Sequence, residues 1–413
     1  MKSVLCFLFS AVCLTLVANA QESWVAQNGG ITSTFFSVDF VDTNMGWAVG
    51  NGIYRTNNGG TTWISSNPSI ADQWFGVDFV NASVGYAVGF NGFIARTNDG
   101  GTTWTVGNLE NNTTSLTSVD FVNASTGWAV GQNGSTPNIR GIVMKTIDSG
   151  KTWNSQSITN TYILHSVYFV DANTGWAVGD TALGTGGITS GVILKTTNGG
   201  STWITQVSGP KYLYIKSVHF INANTGWAAG SKVLKTVDGG VTWASQATDT
   251  INGAIQALQF LDANNGFGVG GATDKAYRTN DGGATWKLQY QNGKSTDALN
   301  SVHFVDAIHG WAVGNAGLIL KHTGSPVPIL KSKSLKEGFG VSQTGQLNYR
   351  LAGPSRVLVS LFDGQGRKVL KLIDENQQPG DYHLSIPERW MPSPVFLEIT
   401  TNDHRKTIPL VRK

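Results

Sequence analysis

Cysteine is almost absent from this sequence, and charge is scarce. The two cysteines of the 413-residue chain, Cys6 and Cys13, both lie within its first 20 residues. Once that segment is removed, no thiol remains for a disulfide, a cysteine metal site or a cysteine nucleophile. Only 13% of the residues are charged and the formal net charge is +3. The composition therefore argues against a nucleic-acid-binding protein, which needs a basic surface.

Long apolar runs are also missing, apart from one at the start of the chain. Lys2 precedes an apolar stretch from Val4 to Val17, which is too short to span a bilayer comfortably. The stretch ends in Ala18-Asn19-Ala20, the small-residue pattern of a signal-peptide cleavage site. A lipoprotein would use Cys13, but Val12 before it is not small. We expect a signal peptide at residues 1–20, cleavage after Ala20, no transmembrane segment in the mature chain, and a secreted or outer-surface location.

What the sequence does contain is a repeat. Its first half reads Ser-Val-x-Phe, then Gly, an aromatic residue, two small residues and Gly, and its second half reads Lys/Arg-Thr-x-Asp/Asn-Gly/Ser-Gly-x-Thr-Trp. The aromatic residues of the first half are Trp47, Tyr86, Trp128, Trp176, Trp227, Phe267 and Trp311. The tryptophans of the second half are Trp63, Trp104, Trp153, Trp203, Trp243 and Trp286. A period of about 44 residues with four short strands predicts one propeller blade per repeat.

The two halves do not occur equally often. There are seven first halves but six second halves, because Gly324-Ser325-Pro326 stands where the seventh hairpin would be. The missing strand is present at the other end of the chain, as Ser23-Trp24-Val25. We therefore predict an all-β protein with a seven-bladed β-propeller at residues 21–325, in which residues 22–27 close the last blade. Pairing the two ends removes an open sheet edge.

The hairpins resemble the Asp-box, or BNR, repeat. The full unit, for example Ser118-Val119-Asp120-Phe121 with Gly127-Trp128-Ala129-Val130-Gly131, resembles the photosystem II stability/assembly factor-like propellers. The resemblance covers about residues 21–325 and implies the propeller fold. A photosynthetic role would require a basic patch for a chlorophyll-protein partner. This segment has only four arginines, Arg55, Arg96, Arg140 and Arg278, and all except Arg140 fill the repeat's Lys/Arg position, so we do not transfer that role.

The chain changes character at about Pro326. Residues 21–325 hold 15 basic and 18 acidic residues, a net charge of −3, whereas residues 326–413 hold 13 and 8, a net charge of +5. The second segment alternates apolar and polar residues in short runs, such as Val357–Phe362 and Val395–Thr400. This pattern predicts a linker followed by a small β-sandwich at residues 326–413.

The order of motifs in this tail resembles the type A sorting domain of the type IX secretion system. Val357-Leu358-Val359-Ser360-Leu361-Phe362-Asp363 with Gly366-Arg367 comes first, Pro379-Gly380-Asp381-Tyr382-His383-Leu384 follows, and the end is basic. The resemblance covers roughly residues 333–413. It implies a Bacteroidota-type bacterium, type IX secretion machinery as a partner, and removal of the tail on export. A carbohydrate-binding or adhesion sandwich is the alternative.

Side chains for catalysis are few. A sialidase would need three clustered arginines, a tyrosine nucleophile and a glutamate, but Glu22 and Glu110 are the only glutamates in the propeller segment. The seven histidines show no metal-binding spacing. The sequence thus favours a protein with no catalytic residue, no metal site and no cofactor, and leaves a glycan-active hydrolase as an alternative.

The loop face of the propeller is the better candidate for a binding site, because its loops vary in length and sequence. Two positions of the first strand are expected to line the central channel, one before the repeat serine and one two residues after it. The side chains at these two positions indicate either a polar channel mouth that accepts a ligand or a structural channel that is filled with water. The candidate ligand-binding residues are Arg140, His165, Tyr212, Tyr214, Lys216, Asp39, Asp78, Asp120, His219 and His303. The expected function is binding of a protein or glycan, and an envelope assembly role is the third hypothesis.

Overall fold

The computed structural model describes residues 23–27, 29–66, 73–109, 113–134, 138–158, 162–181, 190–209, 214–246, 251, 253–270, 274–294, 296–323, 339–341, 346–351, 355–363, 368–378, 380–385, 395–401 and 405–410. The chain divides into two units, Met1–Pro326 and Val327–Lys413. The expected signal peptide and Tyr212 lie outside the described residues. Helices in the described part are short 3-10 turns at Phe90–Gly92 and Asn315–Gly317, and none could cross a membrane.

The first unit consists of seven four-stranded antiparallel sheets, which are the blades of a propeller. Blades 1 and 2 contain β2 (Phe35–Phe40), β3 (Gly46–Gly50), β4 (Gly52–Thr56), β5 (Ile64–Ser65), β6 (Trp74–Phe79), β7 (Gly85–Gly89), β8 (Phe93–Thr97) and β9 (Thr105–Asn108). Blades 3 and 4 contain β10 (Ser115–Phe121), β11 (Gly127–Asn133), β12 (Arg140–Thr146), β13 (Asn154–Gln156), β14 (Tyr162–Phe169), β15 (Gly175–Thr181), β16 (Gly191–Thr196) and β17 (Ile204–Gly209). Blades 5 and 6 contain β18 (Ile215–Phe220), β19 (Gly226–Gly230), β20 (Val233–Thr236), β21 (Ala244–Ser245), β22 (Ile255–Phe260), β23 (Gly266–Gly270), β24 (Lys275–Thr279) and β25 (Lys287–Tyr290).

The seventh blade joins the two ends of this unit. It contains β26 (Leu299–Phe304), β27 (His309–Gly314) and β28 (Ile319–Thr323), and its fourth strand is β1 (Ser23–Ala26) from the start of the chain. Trp24 lies opposite His322 in the antiparallel pair of β1 and β28. The predicted fold class, a seven-bladed propeller followed by a small β-sandwich, is confirmed.

An aromatic sandwich fills each boundary between blades. Phe40 of blade 1 stacks on Trp311 of blade 7, with ring centroids 3.5 Å apart, and meets Trp63 of its own blade edge-on at 5.9 Å. The same stack recurs at the other boundaries, and in blade 7 Trp24 takes the edge-on place beside Phe304, at 5.5 Å. Such pairs add to the free energy of burying large apolar rings. The repeat's aromatic positions are therefore core positions.

Indole N–H groups also tie the blades together. The indole of Trp47 donates to the carbonyl of Gly100 in the Asp-box hairpin of the next blade, at 3.0 Å. The same bond is formed by Trp128, Trp176, Trp227 and Trp311. Phe267 of blade 6, which faces the one blade without an Asp-box hairpin, has no N–H to donate.

The Asp-box aspartates are structural residues of their hairpins. Asp99 accepts bonds from the backbone N–H of Thr103 at 2.9 Å and from its hydroxyl at 2.6 Å. These bonds hold the pKa of Asp99 at about 2. The hairpin carboxylate thus accepts hydrogen bonds from the residue four positions later in the chain. In an Asx-turn the carboxylate would instead bond the backbone two positions later. Asp42, in the turn after β2, does follow the Asx-turn pattern and accepts from Asn44 at 2.7 Å.

The second unit contains two antiparallel sheets. One consists of β29 (Phe339–Val341), β30 (Gln346–Leu351) and β33 (Gly380–Ser385), and the other of β31 (Ser355–Asp363), β32 (Lys368–Gln377), β34 (Val395–Thr400) and β35 (Arg405–Leu410). Buried side chains of both sheets form one core, in which Leu347 and Tyr349 of the first sheet meet Val359 and Leu397 of the second. This is the arrangement of a β-sandwich.

Candidate functional site

A β-bulge occurs at the same place in the innermost strand of every blade. In blade 1, Phe35 pairs with Gly50 and Ser37 pairs with Val49, so that Phe36 has no partner on the neighbouring strand. The seven bulged residues, which we call the bulge ring, are Phe36, Phe75, Thr117, His165, Lys216, Gln256 and Asn300. A bulge turns its extra side chain out of the regular alternation. Because neighbouring innermost strands contact each other around the propeller, the bulges collect seven side chains at one end of the channel.

Blades 4 and 5 place an ionic cluster in this ring. The Nε2 atom of His165 lies 2.7 Å from Oδ2 of Asp180 and 3.0 Å from Nζ of Lys216. Lys216 is itself 3.6 Å from Asp180. One ring nitrogen cannot both donate to the carboxylate and accept from the ammonium group, so in any one tautomer His165 Nε2 forms a hydrogen bond with only one of these two partners. The cluster therefore holds one more close polar contact than its hydrogen atoms can satisfy.

Asp180 is absent from the residues predicted from the sequence, although it is the centre of this cluster. It is 6% exposed and lies on β15, and its Oδ1 accepts the backbone N–H of Ile215 from the next blade at 3.1 Å. Its signal in the sequence is its position directly after the last glycine of the repeat. The residues there are Asn51, Phe90, Gln132, Asp180, Ser231, Gly271 and Asn315. Asp180 is the only charged residue among them.

Three of the other predicted loop-face residues differ in where they lie. Lys216 Nζ is 5.8 Å from the ring centroid of Tyr214, within the range of a cation–π contact. Tyr212 is outside the described residues. Arg140 is exposed at the start of β12 and pairs with Asn133 of β11. The structure thus brings His165, Tyr214 and Lys216 together, and Arg140 is not among the described contacts of this cluster.

An aromatic pair lies elsewhere in the bulge ring. The rings of Phe36 and Phe75, on blades 1 and 2, are 5.1 Å apart in an edge-on arrangement. Two further ring members bond the adjacent blade, since Thr117 donates to the carbonyl of Leu164 and Asn300 donates to that of Phe35. The channel mouth therefore has an aromatic arc on blades 1 and 2 and an ionic arc on blades 4 and 5.

Deeper in the channel, a second ring of side chains links one blade to the next. We call it the inner ring: Asp39, Asp78, Asp120, Tyr168, His219, Gln259 and His303. Asp39 accepts the backbone N–H of Phe79 at 2.7 Å, and the equivalent bond is formed by Asp78, Asp120, His219 and Gln259. Each bond satisfies an N–H group at the open edge of the following innermost strand. These contacts support the structural interpretation of the channel, and ligand binding by the inner ring stays a prediction.

The three inner-ring carboxylates lie on neighbouring blades and are hard to ionise together. Burial raises the pKa of Asp120 to about 7. Burial also raises the pKa of Asp78 well above its usual range, and the charges of Asp120 and Asp39 raise it further. His303 lies 3.1 Å from Asp39 and opposes the rise there. In the described residues no group of three or more histidine, aspartate or glutamate side chains could hold a metal ion.

Asp120→Asn is expected to stabilise the propeller at pH 8 and to have little effect at pH 4. The folded state favours the protonated carboxyl, so the stability from this group is fully present below its unfolded pKa of 3.8 and is lost as the pH rises through about 7. The loss amounts to at most about 4 kcal/mol, and we expect about 2 kcal/mol because an amide is a weaker acceptor for Phe169. Thermal unfolding from pH 4 to 8 measures this. Asp99→Asn is the control, since its low pKa predicts no gain at pH 8. A lower melting temperature of Asp120→Asn at pH 8 would contradict the assignment.

Comparison with known proteins finds one family model that matches part of the propeller, and solved structures that share its fold. Residues 65–211 match the family model described as photosynthesis system II assembly factor YCF48. A solved structure titled "YCF48 bound to D1 peptide" is 21% identical, with a TM-score of 0.58, over 73% of this chain and 97% of that one. YCF48 from Cyanidioschyzon merolae is 20% identical, with a TM-score of 0.56, over 73% and 98%. No curated protein matches the sequence.

The same fold also occurs in enzymes. A streptogramin B lyase is 12% identical over 73% of this chain and 97% of its own, with a TM-score of 0.60. Identities this low establish the fold and nothing about activity. The chain therefore shares the propeller fold of these proteins, and its function has to be argued from its own side chains.

Proposed function

We propose that this chain is an exported, non-catalytic binding protein whose propeller holds a protein or glycan segment at the mouth of its channel. The observation that carries the proposal is the composition of the bulge ring. Seven identical bulges present seven side chains of varied chemistry, and two of them form an ionic cluster with the buried Asp180. A ring needed for folding alone could repeat one residue, as the aromatic core positions nearly do.

The two arcs of the mouth suit a ligand that has both a charged and an apolar part. Lys216 is 30% exposed and His165 is 19% exposed, so both can reach a charged group of a ligand. Phe36 and Phe75 are partly exposed and can cover an apolar group. A polypeptide fits this description better than a neutral glycan. That a solved YCF48 structure holds a peptide supports the same choice.

Lys216→Ala is expected to weaken binding about tenfold, because a charge-assisted contact of this kind contributes about 1.4 kcal/mol or more. The chain is first applied to peptide and glycan arrays, and the affinity of the best ligand is then measured by titration calorimetry. Lys232→Ala, on an exposed turn of the same blade, removes an equal charge as the control. Equal affinity of both variants, or no ligand on either array, would contradict the proposal.

For the second unit we propose a role in sorting through the type IX secretion machinery. Its support is the sequence of motifs over roughly residues 333–413 and the excess of basic residues there. In a bacterium with this machinery, deletion of residues 327–413 is expected to leave the propeller in the periplasm, whereas the full chain reaches the medium or the cell surface. If the shortened chain is exported equally well, the unit has another function, such as adhesion.

A further inference from the structure

A groove between blades 2 and 3 has no part in the function proposed above. Its cavity has a volume of about 640 Å³. Aliphatic side chains from both blades line it, among them Ile94, Val106, Ile142 and Met144. Trp153 also lines it, and two cationic residues, Arg96 and Lys151, contribute to its wall. The groove thus combines an apolar floor with positive charge.

The groove is open because one blade lacks a side chain that others have. The third residue after the Asp-box tryptophan is glutamine in four blades: Gln156, Gln206, Gln246 and Gln289. In blade 4, Gln206 packs against Gly240 in the hairpin of blade 5, with Oε1 only 2.0 Å from where a Cβ would be. Blade 2 has Gly107 instead, and a Cβ there would meet only the carbonyl oxygen of Ile94, at 4.0 Å. The departure from the repeat leaves room for a ligand.

The hairpin of blade 3 departs from the repeat at the same boundary. The residue before Thr-Trp is Thr61, Thr102, Ser201, Val241 or Ala284 in the other five hairpins, but Lys151 in this one. Ser149 replaces the first glycine and adopts a φ of 65° that favours glycine. On the strand-two side, Tyr86 replaces the usual tryptophan and bonds Ala124 at 2.9 Å. Several changes therefore coincide at this one boundary.

Among the described residues, no carboxylate forms an ion pair with the cationic side chains of the groove. Arg96 bonds the neutral side chain of Asn98 at 2.9 Å, and the described ion pairs include neither Arg96 nor Lys151. The aspartates of the two neighbouring hairpins accept hydrogen bonds from threonines of the same hairpin: Asp99 from the hydroxyl of Thr103 and Asp148 from that of Thr152. An anionic ligand would find both cations available.

We propose that this groove is a second binding site, for an extended acidic peptide segment that carries branched aliphatic side chains. The aliphatic side chains would occupy the floor at Val106 and Ile142, and a carboxylate would pair with Arg96 and Lys151. Strand β9 is the outer edge of its sheet, and an extended peptide can add to such an edge as a further strand. The lining contains more aliphatic side chains than aromatic ones, although Trp153 contributes to it, and aliphatic side chains suit a peptide better than a sugar ring, which packs on aromatic faces.

The test is selection of random heptapeptides displayed on phage against the full chain, with affinities then measured by fluorescence anisotropy. We expect peptides in which glutamate or aspartate adjoins leucine, isoleucine or valine. Gly107→Gln, which restores the residue of four other blades, is expected to weaken their binding at least about tenfold. Lys151→Thr is expected to weaken it about fivefold and Lys151→Glu further. Lys232→Thr and Lys216→Ala, which lie away from the groove, are expected to leave it unchanged.

Three results would overturn the proposal. One is the absence of any selected peptide, and another is equal binding by Gly107→Gln and by the unaltered chain. The third is a chain that binds hexagalacturonate but no peptide, with the hexagalacturonate binding abolished by Gly107→Gln. This result would identify an acidic glycan site. Thermal unfolding checks that each variant folds. If Gly107→Gln does not fold, the binding of the Lys151 variants decides the question. Because Lys216→Ala is scored separately, failure here is distinguishable from failure of the channel-mouth site.

Discussion

Trp24→Ala is expected to lower the stability of the propeller by about 3–5 kcal/mol, the usual cost of truncating a buried tryptophan. Trp24 is 6% exposed and meets Phe304 edge-on at 5.5 Å and His322 at 5.1 Å. Its indole N–H has no hydrogen-bond partner among the residues that the structure describes, so with respect to these residues the substitution removes packing alone. Because β1 completes the seventh blade, a weakened β1 also exposes the edge of β28 and opens the ring.

The measurement is urea unfolding followed by tryptophan fluorescence. Thirteen of the 14 tryptophans lie before residue 326, so this signal reports on the propeller rather than on the second unit. Val25→Ser is the matched control, because Val25 is on the same strand but 45% exposed. A chain that begins at residue 31 is expected to be less stable than Trp24→Ala. If Trp24→Ala and Val25→Ser unfold at the same urea concentration, the ring does not depend on β1.

Much of the propeller could be predicted from the sequence because its information is repeated. Seven copies of one pattern fix the number of blades, and the inequality of the half-repeats indicates where the ring closes. The tryptophans, which recur at fixed positions, are assigned to the core by their recurrence alone. The proposed function depends on residues that differ between blades. Each of these residues occurs once, so no repetition within the sequence indicates its role.

The bulges were not predicted, although the sequence contains a trace of them. Buried apolar residues of the innermost strand lie at Phe35, Val38 and Phe40, a spacing of three and then two. A regular strand keeps a spacing of two, so the extra residue between Phe35 and Val38 marks a bulge. The same phase change occurs at Leu164 and Val167 in blade 4. This change of spacing is enough to assign His165 and Lys216 to equivalent positions of one ring.

The roles of the inner-ring aspartates could not be obtained in this way. From the sequence alone, a carboxylate expected in a channel could equally bind a ligand or accept a hydrogen bond from a neighbouring strand. Only the position of the next blade shows that Asp39 accepts the N–H of Phe79, 40 residues away. Side chains that act between repeats need three-dimensional geometry, because the pattern of one repeat says nothing about its neighbour.

Gly179→Ala is expected to destabilise the propeller by more than about 3 kcal/mol, beyond the usual cost of an overpacked core. Gly179 is the residue that faces the bulge of blade 4, paired with Leu164. A Cβ at this position would lie 1.9 Å from the carbonyl oxygen of Ile163. Backbone cannot rotate away as a side chain can, so the start of β14 has to move.

The same movement would disturb the channel mouth, since His165 and Asp180 flank the two paired residues. Gly179→Ala is thus expected to lower both the melting temperature and the Lys216-dependent affinity. Gly107→Ala is the control, because a Cβ there has no neighbour closer than 4.0 Å, and its stability should stay within about 1 kcal/mol of the unaltered chain. The destabilisation caused by alanine would then differ between Gly179 and Gly107 for one reason, the distance from the added Cβ to a carbonyl oxygen. A Gly179→Ala chain as stable as the Gly107→Ala chain would show that the bulge tolerates a side chain, and its glycine would need another explanation.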